Sequence, residues 1–125
     1  MITTVHTANT IWRKTVKHFS DFKTMTGKSP LAGFIFKEVH LQNVMLTWVE
    51  MEPGSILPEH QHPHEQISMV VKGALELTID GTSRVMRQGD VAVVPPNVIH
   101  SGRVLSEPTV AVDAWNPIRE DYINR

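Results

Sequence analysis

Cysteine is absent from this 125-residue chain. A disulfide framework and a thiolate metal site are therefore both excluded. Any bound metal must be held by His, carboxylate, amide or water. Neither charge sign is in clear excess, with 12 Lys and Arg against 13 Asp and Glu. Nucleic acid and an anionic membrane surface are thus not expected as partners. No apolar run reaches the roughly 18 residues that would suggest a membrane span. The opening "MITTVHTANTIWRK" has no basic stretch followed by an apolar one, so secretion is not expected and a cytoplasmic protein is the default. Internal repeats and low-complexity tracts are also missing.

What remains is the composition of an ordinary globular chain, 41% apolar and 20% charged, long enough for one domain with a real core. Residues 1–33 read as an N-terminal arm or extension. "NTIWRKTVKHF" suits either a short amphipathic helix or a segment lying on another surface, and "TMTGKSPLAG" reads as a loop. From Phe34 the pattern turns to strands. "FIFKEVHL" and "VMLTWVEM" are rich in β-branched and aromatic residues, and "EPGS" closes the second with a turn. "EQISMVVKG", "ALELTID" and "SRVMRQGD" follow, each ended by Gly or Asp. In "ALELTID", Leu75, Leu77 and Ile79 alternate with Ala74, Glu76 and Thr78, the period of a half-buried strand. Asp80-Gly81 signals a tight hairpin, because its primed turn needs positive φ. "VAVVPPN" is an apolar run stopped by prolines, and "RVLSEPTVAVDAW" reads as a last pair of strands. Short strands about ten residues apart predict an all-β sandwich or barrel over residues 34–125.

The stretch "HQHPHEQ", residues 60–66, carries the chemistry. His60 and His62 are two apart, so an extended backbone aims both imidazoles the same way. His is the commonest neutral metal ligand near pH 7. Pro63 cannot donate to a central ladder and should end the strand. His64 and Glu65 then lie in the turn, and a hairpin would fold Gln66 back beside the two histidines. A further ligand must come from elsewhere, with His100 the candidate. A metal-bound His usually hands its other N–H to a carboxylate or carbonyl, a role Glu59 or Glu65 could fill. His6, His18 and His40 lack partner spacing and read as surface or structural. Arg84, Arg87 and Arg103 read as solvated strand-face charges, and Met45, Met51, Met69 and Met86 as core.

At the C-terminal end stands "VDAWNPIREDY". Asp113 and Trp115 should share one face of a final strand, which Asn116-Pro117 ends. Arg119, just past the turn, could reach back over a barrel mouth. An inward acid, an aromatic wall and an arginine beside a metal outline a sugar-acid site. The guanidinium can pair with a carboxylate, and the Asp can move a proton.

These residues resemble the cupins. Gly54, five residues, His60-Gln61-His62, three residues, Gln66, six residues and Gly73 match the first cupin motif. Gly89, Pro95, Asn97 and His100 fall at the positions of the second. Gln66 stands where Glu is usual, Asn97 where Gly is usual, and Val104 where a later Asn is usual. The resemblance implies a double-stranded β-helix, or jelly-roll β-barrel. It also implies one divalent metal ion (Zn, Ni, Mn, Co or Fe) on His60, His62, Gln66 and His100. A neutral amide in place of a carboxylate leaves the metal with more net positive charge, favouring polarisation of a substrate over oxygen chemistry.

Within the cupins, residues 40–122 are similar to the small single-domain proteins of pectin degradation, the KdgF type. Their first motif commonly reads His-x-His-Pro-His-Glu-Gln, as here, and their C-terminal motif runs Asp, x, aromatic, a Pro-containing turn, Arg, Glu or Asp, and an aromatic, with Phe more usual where Trp115 stands. By that resemblance Asp113, Trp115 and Arg119 are catalytic and substrate residues. The implied reaction opens unsaturated monouronates to linear 4-deoxy-5-keto-uronates without redox change. A metal-dependent dioxygenase and a non-catalytic sugar-acid-binding cupin stay open as alternatives. The expected partner is a carboxylate sugar, and the arm suggests a homodimer.

Overall fold

A computed structural model of the chain describes residues 16–123. Nine strands follow in order: β1 (Phe34–His40), β2 (Met45–Met51), β3 (Ile56–His60), β4 (Glu65–Lys72) and β5 (Ala74–Ile79), then β6 (Thr82–Arg87), β7 (Val91–Val94), β8 (His100–Val104) and β9 (Thr109–Asn116). A single-turn helix, α1 (Glu120–Ile123), ends the described chain. The strands form a five-stranded sheet, β1-β2-β9-β4-β7, and a four-stranded sheet, β3-β8-β5-β6, with every pairing antiparallel. This is the expected all-β jelly roll.

Local chemistry explains the turns. Asp80 and Gly81 have φ of 49° and 82°, so the β5–β6 hairpin carries the primed turn that its sequence predicts. Asn97, at φ 63°, takes the positive-φ position where the family usually has Gly. Gly73 sits at φ 88° where the chain passes from one sheet to the other, and a Cβ there would meet Thr109 and the Pro108 carbonyl. Only glycine meets both demands without strain.

Two pairings differ from the simplest reading of the sequence. β3 and β4 do not form a hairpin, because β3 pairs with β8 while β4 lies between β9 and β7. Likewise β8 and β9 are consecutive but belong to different sheets. In a two-sheet barrel both inward faces are buried only if the chain crosses between sheets at these points.

The barrel has two chemically distinct ends. Phe34, Val49, Met51, Val70, Leu75, Leu77, Met86, Val104 and Ala111 form one apolar cluster. Fully burying such a side chain contributes about 1.5–3 kcal/mol. Along the same strands the inward positions then turn polar. β4 runs inward as Gln66, Ser68, Val70, and β9 as Ala111, Asp113, Trp115. One end of each strand therefore secures the fold and the other carries functional groups.

The outer face of the five-stranded sheet is partly covered. Phe22 stacks on Trp48 at 5.5 Å, and Lys37 donates to the Phe22 carbonyl at 3.0 Å. The β4–β7 half has no such cover among the described residues. Ile67 pairs with Val93 and Met69 with Val91, and all four are exposed, Met69 at 41%. Met69 is thus not core, unlike Met45, Met51 and Met86. The possible helix at "NTIWRKTVKHF" lies mostly outside the described residues, and its described part, residues 16–19, is irregular. No helix among the described residues is long and apolar enough to cross a membrane.

Candidate metal centre

Three elements bring the histidines together. His60 ends β3, His100 begins β8, and the two are register partners. His62 lies just beyond β3 in the crossing to the second sheet. The ring centroids are 4.1 Å apart for His60 and His100, 4.8 Å for His62 and His100, and 5.6 Å for His60 and His62. One ligand atom from each lies within 4.8 Å of the others.

The tautomers follow from the backbone. His60 Nδ1 donates to the Pro58 carbonyl at 2.8 Å, His62 Nδ1 to the His64 carbonyl at 3.2 Å and His100 Nδ1 to the Val98 carbonyl at 2.8 Å. A carbonyl only accepts, so each neutral ring keeps its proton on Nδ1 and presents a lone pair at Nε2. These carbonyls, not Glu59 or Glu65, orient the rings. His64, in the turn, contributes its backbone oxygen to the site. Burial lowers the His62 pKa to about 4, helped by the charges of Arg119 and His100. Burial likewise lowers that of His100. At neutral pH these rings are therefore unprotonated, the form that binds a metal.

The donor set fits a cation. His100 Nε2 is buried with no hydrogen-bond partner. His62 Nε2 faces the Gln66 amide oxygen at 3.1 Å, and two lone-pair atoms so placed need a cation between them, or the amide turned to offer its N–H. Three histidines whose ligand atoms lie within 4.8 Å of one another, one with an orphaned nitrogen, suit a divalent metal.

Beside the histidines, β9 supplies the other groups. Gln66 is register partner to Trp115, and Ser68 to Asp113. Asp113 also pairs across to Thr47 of β2. Burial raises the Asp113 pKa to about 6, opposed by the side chains of Ser68, Gln66 and Thr47 and by the charge of Arg119. Its Oδ1 has no hydrogen-bond partner. Trp115 meets the His62 ring edge-on at 5.2 Å and donates its indole N–H to Thr47 Oγ1 at 3.0 Å.

Arg119 packs against Trp115 and Tyr122. Its Nε and Nη2 donate to the two oxygens of Asp121 at 3.1 and 2.7 Å. Its guanidinium lies 4.9 Å from the Trp115 ring and 4.3 Å from that of Tyr122. The structure therefore gathers all seven sequence-selected residues at one end of the barrel. Thr47, Ser68 and Tyr122 were not singled out. Thr47 shows itself as a polar residue among the otherwise apolar inward positions of β2, and Ser68 as the inward neighbour of Gln66 on β4. Tyr122 is the closing aromatic of the C-terminal motif and lines the inner cavity with His60, His100 and Asp113. That cavity has about 60 Å³ free, room for a few waters.

This constellation on a jelly roll defines a metal-binding β-barrel of one family. Residues 47–115 match the cupin domain model, and the chain belongs to the cupin family. Within it, the chain is 32% identical to the pectin degradation protein KdgF of Dickeya dadantii over 82 residues, 65% of this chain and 74% of that protein. The solved structure of KdgF from Halomonas sp. superposes with a TM-score of 0.80 at 28% identity, covering 85% of this chain and 98% of that one. A more distant match is oxalate oxidase 1 of Hordeum vulgare, 32% identical over 87 residues, 59% of this chain but 43% of that protein. The three-histidine cluster fits a metal site in such a cupin.

Proposed function

We propose that this chain is a metal-dependent cupin enzyme that opens unsaturated monouronates to linear 4-deoxy-5-keto-uronates, the step implied by its similarity to KdgF. The observation that carries the reading is Asp113: a buried acid with its pKa raised to about 6, lining the same inner cavity as His60 and His100. Such an acid can both give and take a proton near neutral pH. Its unpartnered Oδ1 is the atom assigned to that transfer.

His60, His62 and His100, with the Gln66 amide oxygen, would hold one divalent ion (Zn, Ni, Mn, Co or Fe). Bound there, it supplies Lewis-acid polarisation of a substrate or water oxygen. The chain's own groups do the rest. Arg119 holds the carboxylate of the uronate, Trp115 packs on its ring, and Asp113 exchanges a proton as the ring opens. A sugar ring exceeds the free cavity, so its entry requires mouth side chains to move.

An ultraviolet assay with an unsaturated monouronate tests the reading. Protein-dependent, chelator-sensitive loss of the conjugated absorbance is expected. Asp113→Asn should lower turnover at least about tenfold, the lower range for general acid–base catalysis, with metal content intact. No absorbance loss with any unsaturated uronate would end the assignment.

The similarity to oxalate oxidase motivates a second reading, a redox cupin. The neutral Gln66 argues against it, since one negative charge fewer stabilises a higher oxidation state less. Oxygen uptake in an electrode would separate the two. We also propose a homodimer, supported by the apolar rows Ile67–Val93 and Met69–Val91, which are exposed among the described residues.

A further inference from the structure

We infer that Asp121 is a positioning residue: it holds the Arg119 guanidinium by one edge so that the other edge is preset to receive a substrate carboxylate. The inference rests on the uronate reading only in taking the ligand to bear a carboxylate.

A guanidinium has two edges that can each pair with a carboxylate through parallel N–H bonds. Asp121 occupies the edge formed by Nε and Nη2. The second edge, Nη1 with the remaining Nη2 proton, takes no part in that pair. Trp115 and Tyr122 hold the guanidinium through their ring faces. The planar group is thus fixed by an edge and by its flanks, and the Arg119 side chain is only 13% exposed. The anchor is itself secured. Lys28 Nζ donates to the Ile123 carbonyl at 3.1 Å, and Tyr122 packs on Phe36 at 5.1 Å, so the C-terminal end of the α1 turn is tied to the barrel.

The guanidinium packs over Trp115, which lines the inner cavity with His60, His100 and Asp113. Trp115 in turn meets the His62 ring at 5.2 Å, and the guanidinium charge is felt at His62, His100 and Asp113. An arginine already held in one rotamer loses less freedom when a carboxylate docks. A competing role, in which Asp121 must leave before any ligand binds, requires the ligand to take the Nε edge. The edge outside the Asp121 pair makes that displacement unnecessary.

Calorimetric titration of the metal-loaded full chain with D-galacturonate, and with uncharged D-galactose for comparison, tests the assignment. Wild type should bind galacturonate more tightly than galactose. Asp121→Asn should weaken galacturonate about tenfold, the scale of one charge-assisted bond pair, and leave galactose unchanged. Asp121→Glu should recover most of the loss. In turnover, Asp121→Asn should raise KM about tenfold and keep kcat within about twofold. Asp121 is 45% exposed, so these changes remove no core. Unchanged or tighter galacturonate binding in Asp121→Asn overturns the assignment, as does a wild type that does not favour the acid over the neutral sugar. If wild type binds galacturonate as expected but never turns over an unsaturated uronate, the ring-opening reading fails and the positioning role stands.

Discussion

His62 Nε2 and the Gln66 amide oxygen stand 3.1 Å apart, with the His62 proton committed to the His64 carbonyl on the far side of the ring. A single cation would engage both atoms and the orphaned His100 nitrogen. His62→Ala and His100→Ala should therefore lose bound metal on dialysis, measured by elemental analysis. Gln66→Glu should raise affinity by about tenfold or more in a chelator competition, since it adds an anionic donor. Equal metal content in wild type and both histidine variants would remove the metal centre.

Asp113 makes stability fall as pH rises. Its pKa is raised from 3.8 to about 6 in the folded chain, so between these values the folded state binds more protons than the unfolded one. Below about pH 4 both states are protonated and there is no penalty. Above about pH 6 the penalty is complete, about 3 kcal/mol by linkage. Asp113→Asn, in protein stripped of metal, should accordingly unfold at higher urea than wild type at pH 7.5. The advantage should shrink as pH falls from 6 toward 4. A gap independent of pH would show that burial of the charge is not its cause.

Thr47 is fully buried on β2 and accepts the indole N–H of Trp115. Thr47→Val keeps the shape and leaves that N–H without a partner. The expected loss is about 1–3 kcal/mol, the cost of an unsatisfied buried donor, read from urea unfolding. If the wall that Trp115 forms also depends on this bond, substrate KM rises with it. No change in either measurement would mean that water replaces the hydroxyl.

The exposed rows of β4 and β7 predict self-association. Gel filtration at two concentrations should give a dimer, and Val93→Lys, placing a charge on a side chain 61% exposed, should shift it toward monomer. A wild type that elutes as a monomer at both concentrations would refute the dimer.

Much of the barrel is visible in the chain before folding. The alternation in "ALELTID", the Asp80-Gly81 turn and the two spaced Gly-His-Pro motifs depend on near neighbours, and near-neighbour chemistry is written in order along the sequence. The sequence also places His60, His62 and His100 as a set, because motif spacing encodes the strand lengths between them. Strand partnership is different. Gln66 meets His62 across a crossing between sheets, not in a hairpin, and no local signal distinguishes these, since either one turns the chain back.

The sequence by itself determined which residues carry chemistry: three imidazoles, an amide in place of a carboxylate, and the Asp113, Trp115 and Arg119 group. Only the tertiary structure decided their states. The carbonyls of Pro58, His64 and Val98 select the tautomers, Thr47 and Ser68 surround Asp113, and Asp121 takes one edge of Arg119. Protonation and orientation depend on burial and on partners distant in sequence, and those arise only when two sheets close on each other.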